Sequence, residues 1–153
     1  MSTITTRLAT FDDLPTLLAF EQGVISAERP LADNLRSGDI TYYDLPALIE
    51  QNNSHLIIVE SNGKPVGSGY MKILPSPKHH KYDNHGYIGF MYVDPDYRGR
   101  GLSKTIIDEL CHWGKSQGVI EVILEVYDKN VQAIRAYEKS GFKKSLVSMR
   151  VEI

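Results

Sequence analysis

The stretch Val93-Asp94-Pro95-Asp96-Tyr97-Arg98-Gly99-Arg100-Gly101-Leu102-Ser103 constrains this chain more than any other, because it joins an apolar, strand-like run to a long amphipathic helix. Gly99 and Gly101 permit backbone conformations closed to other residues, so successive N–H groups can turn toward one anion. The helix that follows points its unpaired N–H groups and the positive end of its dipole at the same place. Arg98 and Arg100 add fixed charge and forked donors suited to a pyrophosphate. A mere connection is the competing reading, since Pro95 and two glycines also make a tight strand-to-helix turn.

A chain of 153 residues supports one domain, 1–153, with a proper core. Its formal charge of −2 gives no reason to expect nucleic acid or an anionic membrane as partner. No apolar run approaches the ~20 residues of a spanning helix. Met1 to Arg7 lacks the charged-then-apolar layout of a secretory signal. The one cysteine, Cys111, cannot form an internal disulfide, which fits a reducing, cytoplasmic setting.

In chain order, Thr3 to Leu8 reads as a strand, and Thr10 with Asp12-Asp13 as a helix start that tolerates Pro15 in its first turn. Leu14, Leu17, Leu18, Glu21 and Ile25 recur at helical spacing up to the stop before Pro30. Leu31 to Thr41 is irregular, and a short helix covers Tyr43 to Glu50. His55 to Glu60 and Pro65 to Leu74 form a hairpin about Asn62-Gly63. Pro75 to His85 is a loop before a strand from Gly86 to Val93. Leu102, Ile106, Ile107, Leu110 and Trp113 mark the buried face of the helix that Gly118 ends. Val119 to Val126 is a strand, Asn130 to Ser140 a helix closed by Gly141, and Phe142 to Glu152 one or two further strands. This order predicts an α/β fold, an α+β mixed sheet with helices on both faces. The strands flanking the Gly-Arg turn should be parallel and joined by a right-handed crossover.

A second informative stretch is Leu124-Glu125-Val126-Tyr127-Asp128-Lys129-Asn130-x-x-Ala133-Ile134-x-x-Tyr137-Glu138-x-x-Gly141-Phe142. With Tyr92-Val93-x-Pro95-x-Tyr97-Arg98-x-x-Gly101-x-Ser103 before it, the chain resembles the GNAT N-acetyltransferase superfamily. The resemblance covers roughly residues 55 to 145. It implies a central sheet of about six to seven strands and acetyl-coenzyme A as co-substrate, with no metal. It implies that Arg98, Gly99, Arg100, Gly101, Leu102, Ser103 and Lys104 hold the pyrophosphate. Met91, Tyr92 and Val93 would hold the pantetheine and offer a backbone N–H to the thioester carbonyl. Asn130 would lie beside the pantetheine arm and Tyr137 near the sulfur. Ser103 departs from the Gly or Ala usual at its position but is also small.

The implied chemistry is direct acetyl transfer to a primary amine in a ternary complex. The amine must lose a proton before it attacks, and the departing thiolate must be protonated or hydrogen-bonded. Tyr137 is the candidate general acid. Many relatives carry a Glu early in the strand before the loop, where this chain has Tyr87. Glu125 is the candidate base, because a subgroup that acetylates protein amino termini has a Glu twelve residues before the Tyr, as 125 and 137 are here. Each also has a bland reading: Tyr137 as a core aromatic, Asn130 as a helix cap, Glu125 as the polar face of its strand. A coenzyme-binding module without catalysis and an enzyme using another acyl donor are the alternatives.

The acceptor is not readable. Gly23 to Thr41, Pro75 to His85 and Lys143 to Glu152 are the segments that select it in the family. Tyr42, Tyr43, Tyr82, Glu28, Asp39 and Asp44 are candidates for lining an amine pocket, with a peptide or a small molecule as partner. A homodimer follows from the resemblance alone. His79, His80 and His85 lack a matching Cys or carboxylate pattern and read as a solvated loop. Cys111 reads as a packed thiol.

Overall fold

In a computed structural model that describes residues 3–153, strands β1 (Ile4–Leu8), β2 (Ser54–Ser61), β3 (Lys64–Pro75), β4 (Asn84–Val93) and β5 (Val122–Leu124) lie side by side in that order. The first four are antiparallel, and β5 runs parallel to β4. Helices α1 (Leu14–Glu28) and α2 (Leu45–Glu50) link β1 to β2, α3 (Leu102–Ser116) links β4 to β5, and α4 (Val131–Lys139) follows β5. Met1 and Ser2 of the expected amino-terminal segment lie outside the described residues.

Strand β2 shows how one sheet supports two cores. Leu56 and Ile58 pack with Leu17, Phe20 and Val24 of α1 and Leu45 and Leu48 of α2. Their neighbours Ile57 and Val59 pack on the opposite face with Leu102, Ile106 and Leu110 of α3. Unbroken apolar runs are what a strand buried on both faces requires. The buried face of α1 is Leu17, Phe20, Glu21, Val24 and Ile25, whereas Leu18 of the expected stripe is 48% exposed. Asn62 and Gly63, with φ of 51° and 81°, make the expected hairpin turn. The Arg7 guanidinium donates to both carboxylate oxygens of Asp13 at 2.8 Å, pinning the start of α1 to β1.

Two features bear on the site. Strand β4 carries a bulge: Ser68 pairs with Tyr92 but Tyr70 with Gly89, and Phe90 takes φ of 55°. Strand β5 is shorter than Val119 to Val126, pairing with β4 only at Gly86, Tyr87 and Ile88. Past Ile88 the two strands have no ladder, so the seam opens toward the Gly-Arg turn.

The sheet has five strands among the described residues, not six or seven, because nothing from Phe142 to Glu152 joins it. Val147, Met149, Val151 and Ile153 alternate with Ser148, Arg150 and Glu152, and each of the four apolar side chains is more than four-fifths exposed. Alternation encodes a strand's tendency but supplies no neighbouring backbone to pair with. No helix of the described residues is long and apolar enough to cross a membrane.

Candidate active site

The Gly-Arg turn is assembled locally. Asp94 accepts from the Asp96 N–H at 2.9 Å and caps a single 3-10 turn, Pro95–Tyr97. Gly99 and Gly101 then take φ of 74° and 77°. Both are needed for conformation rather than space, since a Cβ at either would meet nothing within 4 Å. Gly101 caps α3, a helix with no acidic residue in its first turn. The first-turn N–H groups of Leu102, Ser103 and Lys104 therefore face an uncontested electropositive corner. The Leu102 side chain is buried in the α3 core, so only its backbone can serve an anion. Arg98 is exposed, Arg100 stacks 4.8 Å above the Tyr97 ring, and Lys104 pairs with Asp108 at 2.6 Å on the helix surface.

Met91, Tyr92 and Val93 run from the bulge to this turn along the open side of the seam. Met91 and Val93 pack toward the α3 core, and Tyr92 stacks on Phe20 of α1 at 4.4 Å. Gly23 makes room for that ring, for its added Cβ would stand 2.6 Å from the Tyr92 Cε2 atom. All three side chains are committed to packing. What they leave facing the seam is backbone, as a carbonyl-polarising N–H demands.

Beyond β5, Asn130 caps α4, its side-chain oxygen accepting from Ala133 N–H at 3.2 Å. Tyr137 lies two turns further on, half-buried, its ring centroid 6.2 Å from that of Phe142 in an edge-to-face arrangement. Burial, and secondarily the charge of Glu28, push its phenol up to about 12. It is therefore protonated at neutral pH and can donate. Glu125 directly follows β5 and is exposed, and it accepts from the Tyr87 hydroxyl of β4 at 3.0 Å. Burial, then that carboxylate, raise the Tyr87 phenol.

Sequence reasoning placed Tyr87 where relatives have a Glu and Glu125 as a possible base, but it missed their bond. Because Tyr87 lies opposite Ile123, the side chain two residues on, Glu125, returns to the same face. Glu21 was missed too. It is fully buried, and one oxygen accepts from the Tyr42 and Tyr43 N–H groups at 2.9 and 2.8 Å. A carboxylate read as part of an apolar stripe thus holds the irregular segment before α2 in place.

The acceptor candidates separate. Tyr42, Tyr43 and Asp44 line a cavity of about 240 Å³ with Tyr70 and Lys72, although Asp44 also caps α2 through Ala47 N–H at 3.2 Å. Tyr82 lies elsewhere, with Lys81 and Ile120 around a shallow cavity by Asn84, at the end of β4 remote from the Gly-Arg turn. Asp39 is exposed. His79 and His80 touch edge to face, and the His85 ring bonds to the Ser76 hydroxyl at 2.8 Å. Among the described residues no group of three or more His, Cys, Asp or Glu could hold a metal ion. Cys111 is half-buried beside the α3 core, and burial and Asp108 raise its thiol.

The model of the acetyltransferase (GNAT) family matches residues 23–142. A glucosamine 6-phosphate N-acetyltransferase of Trypanosoma brucei brucei is 36% identical over 98 residues, 61% of this chain and 61% of that protein. The chain thus spans less than two thirds of that relative's length. The solved BH1408 protein of Bacillus halodurans superimposes with a TM-score of 0.85 at 22% identity, over 97% of this chain and 99% of that one. A protein of Clostridium acetobutylicum described as a predicted acetyltransferase and solved with acetyl-CoA gives 0.74 at 19%, over 98% and 96%. At such identities these two structures speak for the fold.

Proposed function

The chain belongs to the GNAT acetyltransferase family, and on that premise we propose that it acts as one domain, transferring an acetyl group from acetyl-CoA to a primary amine by direct attack. The observation that carries the reading is the seam between β4 and β5, which is unpaired beyond Ile88 on the side of the electropositive turn, with the Tyr87–Glu125 bond at its paired end. Acetyl-CoA supplies an activated acyl group on a thiol leaving group. The backbone from Arg98 to Lys104 fits its pyrophosphate by charge and by N–H direction.

Glu125 takes the proton from the incoming ammonium, directly or through a water, and Tyr87 holds that carboxylate toward the seam. A backbone N–H of Met91, Tyr92 or Val93 donates to the carbonyl oxygen as negative charge develops there. The nitrogen bonds to the acyl carbon, the carbon–sulfur bond breaks, Tyr137 gives its phenolic proton to the departing sulfur, and the nitrogen's second surplus proton passes through solvent to the phenolate. Glu125 then releases its proton to solvent, and at no step does the acyl group bond to the enzyme. Thiol release by the purified protein from acetyl-CoA, measured with and without a panel of primary amines, tests the reading. Release that depends on an amine supports it, and release absent with every amine while coenzyme still binds favours a binding module.

A homodimer belongs to the same reading. The carboxy-terminal segment presents Val147, Met149, Val151 and Ile153 as one unpaired apolar face, and β5 is a three-residue edge strand paired on one side only. A second copy supplies what each lacks. A cytoplasmic setting fits the free thiol of Cys111.

A further inference from the structure

Among the described residues, Lys72 of β3 is in no ion pair, and the sheet around it supplies no counter-charge. It lies opposite Ser54 of β2 on one side and Tyr87 of β4 on the other. Leu56 and Tyr70, the paired residues two positions along, belong to the core under α1 and α2, so Lys72 and its partners share that face. Along β3 its neighbours on the face are Tyr70 and Leu74. All four surrounding side chains are neutral. The Ser54 hydroxyl donates to the Leu48 and Gln51 carbonyls at 2.9 and 3.1 Å, which seats the end of α2 beside the lysine.

Lys72 is half-buried and lines the cavity of about 240 Å³ between α2 and β3, with Tyr42, Tyr43, Tyr70 and Gln51. The carboxylate on that wall, Asp44, turns to its own helix and accepts from Ala47 N–H at 3.2 Å. Two contacts join the cavity to the proposed site of acyl transfer. Tyr43 stacks at 4.6 Å on Phe90, the residue of positive φ at the bulge just before Met91. Tyr70 meets the Tyr87 ring at 6.4 Å, and a Cβ added to Gly89 would stand 2.5 Å from the Tyr70 hydroxyl, which therefore overlies β4.

Lys72, Tyr87 and Glu125 thus make one row across the sheet: a cation, a phenol, and a carboxylate that the phenol bonds at 3.0 Å. Directly opposite strand residues hold their Cβ atoms about 5 Å apart, so one small molecule can reach both ends of the row. Opposite charges at the two ends orient a ligand by its own charges. An ammonium is drawn to Glu125 and repelled by Lys72, and an anionic group the reverse. The ring faces of Tyr43 and Tyr70 offer apolar surface to whatever joins the two.

We propose that Lys72, with the Gln51 amide beside it, forms an anion subsite of the acceptor pocket, so that the acceptor class is amines carrying a carboxylate or a phosphate a short spacer away from the reacting nitrogen. This rests on the acetyltransferase reading and deepens it, with Glu125 serving the nitrogen and Lys72 the anion. An amine whose far end is uncharged gains nothing from the lysine, and one with a second positive charge is opposed by it.

The probes are 4-aminobutanoate, 3-aminopropyl phosphate, butylamine and 1,4-diaminobutane, which share an aminopropyl core and differ at the far end. Each is titrated by calorimetry into protein saturated with coenzyme A, and each is offered as acceptor with acetyl-CoA. The better of the two anionic amines should exceed butylamine in kcat/KM by about tenfold to a hundredfold, the range of a charge-assisted bond, with the diamine poorest. Which of the two leads decides between carboxylate and phosphate. Lys72→Gln should collapse the ratio of that amine to butylamine toward one, and Lys72→Arg should keep part of it. A ratio is insensitive to a fraction of unfolded variant, and melting curves check the fold. Anionic amines handled no better than butylamine, a diamine preferred to both, or a ratio that survives Lys72→Gln overturns the subsite. Thiol release with none of the four counts against acetyl transfer; binding of an anionic amine that is lost in Lys72→Gln then leaves the subsite standing, and absence of such binding removes it.

Discussion

The Tyr87 hydroxyl donates to the Glu125 carboxylate at 3.0 Å, across the last paired residues of β4 and β5. The bond ties β4 to the residue that directly follows β5, next to the last paired residues, Ile88 and Leu124. Glu125→Gln, which keeps shape and removes the base, should lower kcat by about 10²–10⁴ and leave coenzyme affinity within about twofold. Tyr87→Phe frees the carboxylate without removing it and should cost kcat about tenfold. Steady-state kinetics with calorimetric coenzyme binding measures both. An unchanged kcat in Glu125→Gln would take the base role from this residue.

Tyr137 offers a test of the other proton. With its phenol raised to about 12, it stays protonated across the whole working range, and its titration should put no alkaline limb on the rate below about pH 11. Tyr137→Phe should lower kcat by about a hundredfold with little change in coenzyme affinity. The same shift has a stability consequence. A phenol whose pKa is raised by folding contributes stability that is whole below the unfolded value near ~10 and is lost as pH rises through the folded value. Tyr42, Tyr43, Tyr70, Tyr87 and Tyr127 are raised as well. The melting temperature should therefore fall steeply above about pH 10, as calorimetric scans from pH 8 to 11 would show.

Gly101 separates backbone conformation from bulk. Nothing lies within 4 Å of a Cβ there, so substitutions act through φ of 77° alone. Gly101→Val should weaken coenzyme binding by about tenfold or more, because a β-branched residue resists the left-handed region and would turn the α3 N-terminus. Gly101→Asn, which tolerates that region, should cost distinctly less. Equal losses in calorimetric titrations would mean that the side chain, not the conformation, obstructs the site.

The exposed tail predicts assembly. Four apolar side chains on one face of an unpaired segment are a strong drive toward a strand partner. Light scattering after gel filtration should find a dimer at micromolar concentration. Met149→Lys together with Val151→Lys should shift it toward monomer, with the helical circular dichroism retained. A wild-type monomer at all concentrations would remove the second copy from the account.

How much of this was legible depended on how local each instruction was. Gly99, Gly101, Gly118 and Gly141 all take positive φ where turns and helix ends were expected, because a backbone demand is written at the residue that meets it. Asn130 and Asp44 cap the helices they precede for the same reason. The Tyr87–Glu125 bond joins residues 38 apart and emerges only with the strand register. Glu21 sat on the right helical face, yet nothing along the chain said that its partners are the N–H groups of Tyr42 and Tyr43. The tail shows the reverse. One or two strands were expected from Phe142 to Glu152 and none forms among the described residues, because pairing is a property of the edge supplied to a segment.

The central claim is direct transfer in the seam, and one single-turnover experiment addresses it. Protein in excess is mixed with acetyl-CoA, its intact mass is read, an accepted amine is then added, and thiol and acetylated amine are followed together. The account predicts an unmodified protein mass before the amine, then thiol and acetylated amine rising at one rate in equal amounts. An acetylated protein before the amine, or thiol released without acetylated amine, would contradict it.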